Sequence, residues 1–283
     1  MNGLQLASRI LQAAATKNAP AALAALDELP EELRTPALNS VLTGWMSNNP
    51  IEALDWALAN GVEVADRRAV GFDDKGNAGW SSLIGVAFGH DRAKTLEWLR
   101  AQPASPQRDA MLMEAIRSSD MVGQNATSGE QIAIYNELAP EVRVDMAPRI
   151  VHSLSYEELG RAKAWVKEQP LGEARSAAVQ ALTERQLSQY PDRAETLADA
   201  WPAGPDRDSA LSFLGENVGG ADPQRAMSFL QRIGDPGIHE EEFKLLARQW
   251  LARDATAARV WLGSTTEISA EAKSRILSWF NER

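Results

Sequence analysis

The stretch Trp250 to Leu262, WLARDATAARVWL, has a counterpart near the other end of the chain in Trp45 to Leu58, WMSNNPIEALDWAL. In both, a Trp is followed five residues later by Ala or Pro, eight later by Ala and eleven later by a second Trp. The Ala and the second Trp are three apart, so on a helix they face the same way. A small residue there lets a neighbouring helix approach, and the ring beside it fills the remaining space. This is the pattern of a repeat.

Aligning the chain on that second aromatic gives one anchor per repeat: Ala25, Trp56, Trp98, Tyr135, Trp165, Leu197, Phe229 and Trp261. Successive anchors are 31, 42, 37, 30, 32, 32 and 32 residues apart, a basic period near 32 with two expanded units. Three residues before the anchor stand mostly small side chains, including Ala22, Ala53, Ala162, Ala226 and Ala258. Five after it stand Pro30, Gly61, Pro103, Pro140, Pro170, Pro202 and Gly234, and only Thr266 departs from this series of breakers. Each unit then reads as two helices. Asn49-Pro50 and Asp222-Pro223 look like an N-cap followed by Pro at the first helical position, where a missing N–H costs nothing. The Pro or Gly after the anchor ends that helix, since Pro cannot continue the hydrogen-bond ladder. A second helix follows in segments such as RTPALNSVLTGW from Arg34 and RDSALSFLG from Arg207. No stretch shows sustained strand alternation, so the expectation is an all-α protein.

In period and helix pairing the chain resembles the α-solenoids, the group that includes tetratricopeptide and HEAT-type helical-repeat proteins. The Leu-Gly pair and Tyr of tetratricopeptide units are not matched, and the Asp/Asn-Pro start with an aromatic anchor is this chain's own consensus. The resemblance implies a right-handed α-solenoid of about eight helix-turn-helix repeats, a single domain over 1–283 with insertions at 69–82 and 118–130. It also implies a curved face of the kind such proteins use to hold another protein.

Composition narrows the partners. The formal charge of −10 over 283 residues disfavours a nucleic-acid backbone or an anionic membrane as main partner, because both attract basic surfaces. There is no cysteine, hence no disulfide or thiolate site, and no apolar run approaches the length of a membrane span. The opening MNGLQLASRILQAAATKN lacks the layout of a secretory signal, and the chain reads as soluble and cytoplasmic unless a signal or anchor precedes it. His90, His152 and His239 have no partner at metal-ligand spacing, and no nucleophile, P-loop or dinucleotide motif is present. No metal or cofactor is expected. Acidic runs such as Glu157-Glu158 and Glu240-Glu241-Glu242 read as solvated helix first turns.

Nine Trp beside three Tyr is an unusual balance. A buried Trp removes about 150–250 Å² from water, about 4–6 kcal/mol gross. Trp45, Trp56, Trp98, Trp165, Phe229, Trp250 and Trp261 are therefore read as structural anchors, whereas Trp201 and Trp80 fall outside the pattern and are freer. Trp279 and Phe280 near the C-terminus are expected either to pack back on the preceding unit or to meet a partner. The recurrent Arg108, Arg175 and Arg207 are equivalent by position and would either pair with a neighbouring unit or line up as an anion-binding strip. The insertion AVGFDDKGNAGWSS, Ala69 to Ser82, reads as an extended loop, and Phe72, Asp73, Asp74 and Trp80 are its candidate partner-binding residues. The expected function is a non-enzymatic protein–protein interaction scaffold. The alternatives are an enzyme whose site is assembled from separate helices, or a nucleic-acid-binding repeat protein.

Overall fold

The computed structural model describes residues 3–60, 80–121, 128–157, 159–190 and 193–281, which form helices joined by short turns with no strand among the described residues. No described helix is long and apolar enough to cross a membrane. Contacts divide the chain into two compact units, Met1–Ala139 and Pro140–Arg283.

In the first unit longer and shorter helices alternate: α1 (Gly3–Lys17), α2 (Ala19–Ala24), α3 (Glu31–Met46), α4 (Pro50–Ala59), α5 (Trp80–His90), α6 (Arg92–Ala101), α7 (Pro106–Met121) and α8 (Ser128–Glu137). Packing follows chain order. α1 lies on α3, α3 on α5 and α5 on α7, while α2, α4 and α6 each touch the helix before and the helix after. Leu11, Ala15, Ala22, Leu26, Ala37 and Val41 form one buried cluster from α1, α2 and α3.

The second unit opens with a 3₁₀ turn, Pro140–Val142, and continues as α9 (Arg143–Glu157), α10 (Leu159–Glu168), α11 (Glu173–Gln189) and the short α12 (Ala194–Leu197) with its 3₁₀ extension Ala198–Ala200. Then come α13 (Pro205–Gly219), α14 (Pro223–Leu230), α15 (Pro236–Arg253), α16 (Ala255–Ser264) and α17 (Ala270–Asn281). Here too α9, α11, α13, α15 and α17 pack each on the next, with the shorter helices between them in sequence.

Local chemistry explains where the helices start and stop. Asn18, Asp91, Asp222 and Asp254 share one extended backbone geometry, φ −139 to −153 and ψ 85 to 91. Each accepts the amide three residues on, at Ala21, Lys94, Arg225 and Ala257, over 3.0–3.1 Å. Asn49 has a similar backbone (φ −140, ψ 77) but caps differently: its Nδ2 donates to the Glu52 carboxylate at 2.7 Å instead of its side chain accepting a helix amide. Helix ends coincide with Pro30, Pro103, Pro140, Pro170, Pro202 and Gly234, all of which lie outside the α-helices. Gly172 and Gly204, just before α11 and α13, hold φ of 145° and 137°, a region that L side chains rarely adopt.

The small residues do what their spacing suggests: Ala22, Ala53, Thr95, Ala162, Ala226 and Ala258 are buried. Trp45, Trp98, Trp165 and Phe229 are buried as well, whereas Trp56, Trp250 and Trp261 are partly exposed. Trp45 tilts against Trp56 at 6.1 Å and Trp250 against Trp261 at 5.5 Å, so each aromatic pair of the matched stretches is one contact. Trp201 is not free; it is 3% exposed, under the ammonium of Lys163 at 5.3 Å. The Glu pairs also differ from expectation. Glu157 ends α9 instead of starting a helix, and Glu240–Glu242 lie beyond the first turn of α15, which begins at Pro236.

α1 and α3 approach closely enough to leave no room for a side chain at Gly44. A Cβ added at Gly44 would stand 2.1 Å from the Gln12 carbonyl oxygen, which is backbone and cannot rotate away. Gly263 in α16 faces open space. Gly44→Ala is expected to lower unfolding stability by about 1–3 kcal/mol. Gly263→Ala should leave it unchanged or raise it by up to about 1 kcal/mol. Urea denaturation followed by circular dichroism reads both.

Candidate functional site

An α-helix leaves its last carbonyls without intrahelical partners. After α2, α6 and α10 an arginine of the following helix answers carbonyls at or just past the helix end. Arg34, in the first turn of α3, donates to the carbonyls of Asp27 and Leu29, both at 3.0 Å. Arg108 in α7 donates to Leu99 at 3.2 Å, and Arg175 in α11 to Lys167 at 3.0 Å and Gln169 at 2.8 Å. In Arg108 and Arg175 the rest of the guanidinium meets a carboxylate farther along the chain. Arg108 reaches Glu137 at 3.2 Å, where Arg100 also arrives at 2.8 Å. Arg175 grips Asp206 with both oxygens, at 2.9 and 2.6 Å, and both side chains are largely buried. Arg207 pairs with Asp199 at 2.8 Å, which Arg232 also contacts. The recurrent arginines are thus joints between successive helices, and their charge is answered within the protein rather than presented as a strip.

His239 stands ten residues after Phe229, as Arg108, Arg175 and Arg207 stand ten after Trp98, Trp165 and Leu197. It keeps the same kind of joint, lying 3.4 Å from Glu267 and against the Phe243 ring at 4.8 Å. Gln231 donates to the same carboxylate at 3.2 Å. The other histidines are more open: His90 ends α5 exposed, and His152 is 3.9 Å from Glu184 on an open face of α9. No group of three or more His, Asp or Glu suited to a metal ion occurs among the described residues.

Of the candidate partner-binding residues, Phe72, Asp73 and Asp74 lie outside the described residues. Trp80 is the first residue of α5, so the second insertion boundary at 82 falls inside a helix rather than a loop. In the same way Ser118–Met121 close α7 and Ser128–Glu130 open α8, leaving 122–127 outside the described residues.

A site that the sequence motifs did not single out lies between α15 and α17, a groove of about 550 Å³. α15 contributes Glu241, Lys244 and Arg248, and α17 contributes Ala272, Arg275, Ile276 and Trp279. Both sets follow helical spacing, so each is one face. Ala272 and Ile276 are buried and make an apolar floor, and Trp279, 45% exposed, forms a wall, its ring meeting Phe280 edge-on at 4.7 Å. Ser269, just before α17, donates its hydroxyl to Glu240 at 2.8 Å, and Glu240 meets Lys244 at 3.4 Å. The Ser269 hydroxyl and amide hold the Glu240 carboxyl below its usual range. Glu241 at 2.7 Å from Lys244 raises that ammonium's pKa. Arg275 lies 3.6 Å from Glu271, while Arg248 is exposed with no ion-pair partner among the described residues. On the α13 side of α15, Glu242 is half-buried and accepts the hydroxyl of Ser212; burial, first, and the nearby Glu216 and Glu241 raise its pKa, against the pull of that hydrogen bond.

Compared with known proteins, the chain matches no family model, and no curated protein or solved structure shows significant similarity to it.

Arg175→Ala leaves Asp206 without its cation and frees two carbonyls, so it should destabilise by about 2–4 kcal/mol, less than a fully buried pair would because both groups retain some water. Adding Asp206→Ala to it should recover part of the loss, which a double-mutant cycle in urea measures. Glu242 gives a pH prediction. Its folded pKa lies above its unfolded one, so the stability that depends on its proton is complete below the unfolded value and is lost as pH rises through the folded value. Glu242→Gln, which can still accept from Ser212, should therefore raise the melting temperature at pH 7 and bring no gain near pH 3.5.

Proposed function

We propose that the chain is a non-enzymatic protein-interaction scaffold, an α-solenoid of about eight helix-turn-helix repeats with a period near 32 residues. The observation that carries this reading is the order of packing: within each compact unit a longer helix lies on the next longer helix along the chain, with the shorter ones between. The shared cap geometry of α2, α6, α14 and α16 and the arginine joints at α3, α7 and α11 support the same reading, since equivalent chemistry recurs at equivalent places. A stack of this kind presents long continuous surfaces, which suit a protein partner better than a small substrate.

Architecture and function are tested separately. Excising Ser176 to Arg207 joins Arg175 to Asp208 in the register that Arg207 held, and removes one period. The product should remain helical and unfold cooperatively, whereas excision of Ser176 to Pro191 should not; equal collapse of both would overturn the repeat reading. For function, the tagged chain is purified from its native cells and analysed by mass spectrometry, alone and with Gly71 to Gly79 deleted. A single protein recovered at stoichiometric yield in every preparation is expected, and its loss on deletion would place contact on the insertion. Recovery of no partner, together with turnover of a small molecule by the purified chain, would replace the scaffold reading with an enzyme.

A further inference from the structure

We infer that the groove between α15 and α17 is a docking site for a short acidic peptide segment carrying an apolar anchor residue, supplied by a partner protein. This rests on the scaffold reading and names the chemistry of one of its sites.

The argument is one of complementarity. The groove has an apolar floor at Ala272 and Ile276, an aromatic wall at Trp279, and three cations against one carboxylate among its lining residues. That balance runs opposite to the −10 of the whole chain. Lys244 is held in place by Glu240 and Glu241, which fix its position and compensate its charge. Arg275 shares its charge loosely with Glu271, with both side chains well exposed. Arg248 has no such partner among the described residues and carries the uncompensated charge of the rim. Elsewhere Arg108, Arg175 and Arg207 are joints, each meeting a carboxylate. An anchor side chain would rest on Ile276 and against Trp279, and flanking carboxylates would reach Arg248 and Arg275.

A nucleic acid could also use an aromatic wall beside arginines, but length separates the two occupants. Screening confines charge interactions to about 8 Å at physiological salt, so a short segment senses mainly the groove. A long polyanion would also run over the acidic surface beyond it, where it is repelled.

The probe is a fluorescein-labelled synthetic peptide of glutamates interrupted by one Leu and one Phe at helical spacing, with a lysine version of the same peptide as its counterpart. Fluorescence anisotropy with the full chain should show binding of the acidic peptide and none of the lysine peptide, weakening as salt is raised. Arg248→Glu, at an exposed position, should reduce affinity about tenfold or more while leaving the melting temperature unchanged. Trp279→Ala should reduce it through the lost wall, and Val260→Ser, at a position 73% exposed on α16 and absent from the groove lining, should not. Absence of binding, or equal binding to wild type and Arg248→Glu, overturns the docking site. So does an RNA oligonucleotide that binds through Arg248 where the peptide does not. If the cellular partner is still captured by Arg248→Glu at full yield, the groove assignment fails and the scaffold reading stands; if neither peptide nor cellular partner binds, both fail.

Discussion

The carbonyl groups released where each shorter helix stops must be answered, and how they are answered shapes much of this protein. Buried backbone acceptors without partners cost about 1–3 kcal/mol each. After α2, α6 and α10 a long cation from the next helix provides the answer. Arg34, Arg108 and Arg175 reach backward to those carbonyls, and Arg108 and Arg175 reach forward to a carboxylate as well. A guanidinium suits this double duty, because its planar fork offers five donors in fixed directions and stays charged. A lysine could satisfy one face only. His239 shows what the same place becomes with a smaller donor set: one contact to Glu267, with Phe243 taking up the ring and Gln231 sharing the carboxylate.

Aromatic residues complete the joints at the edges that the arginines do not reach. The Trp98 indole donates to Asp55 of the preceding short helix at 2.6 Å, and Trp45 donates to Glu52 at 3.3 Å, where Asn49 also arrives. A ring thus buries apolar area on one side and satisfies its own N–H on the other, which explains why Trp rather than Phe serves at these positions. Phe229 has no N–H to satisfy and is more deeply buried than Trp45, Trp98 or Trp165.

Much of the fold was legible because its signals are local. Breakers at Pro30, Pro103, Pro170 and Pro202, a cap at Asp222, and an Ala three residues before an aromatic each follow from backbone sterics and spacing alone. The arginines were legible as recurrent positions that could pair with a neighbouring unit, but not their partners, which stand 29 residues on at Glu137 and 31 on at Asp206, beyond any local pattern. Trp201 was misjudged for a related reason. It lacks the spacing of the other rings, yet the Lys163 ammonium, which donates to the Ala200 carbonyl, lies over it, a contact set by the irregular turn after α12. The groove was half legible: Ala272, Ile276 and Trp279 fall on one face of α17, but sequence does not say which face a neighbour covers and which it leaves open.

The same local order of contacts has a consequence for the groove. α17 touches α15, and α15 in turn is tied to α13, α14 and α16, so the charged side of the groove, with Lys244 and Arg248, belongs to a helix whose own support lies on its other sides. Phe243 and Leu246 of α15 are buried there, and Phe243 stacks near Trp261 at 6.2 Å, while Arg248 and Glu241 stay at the surface. One helix thereby separates a face committed to packing from a face available to a ligand. Charge at Arg248 can change without disturbing what holds α15 in place.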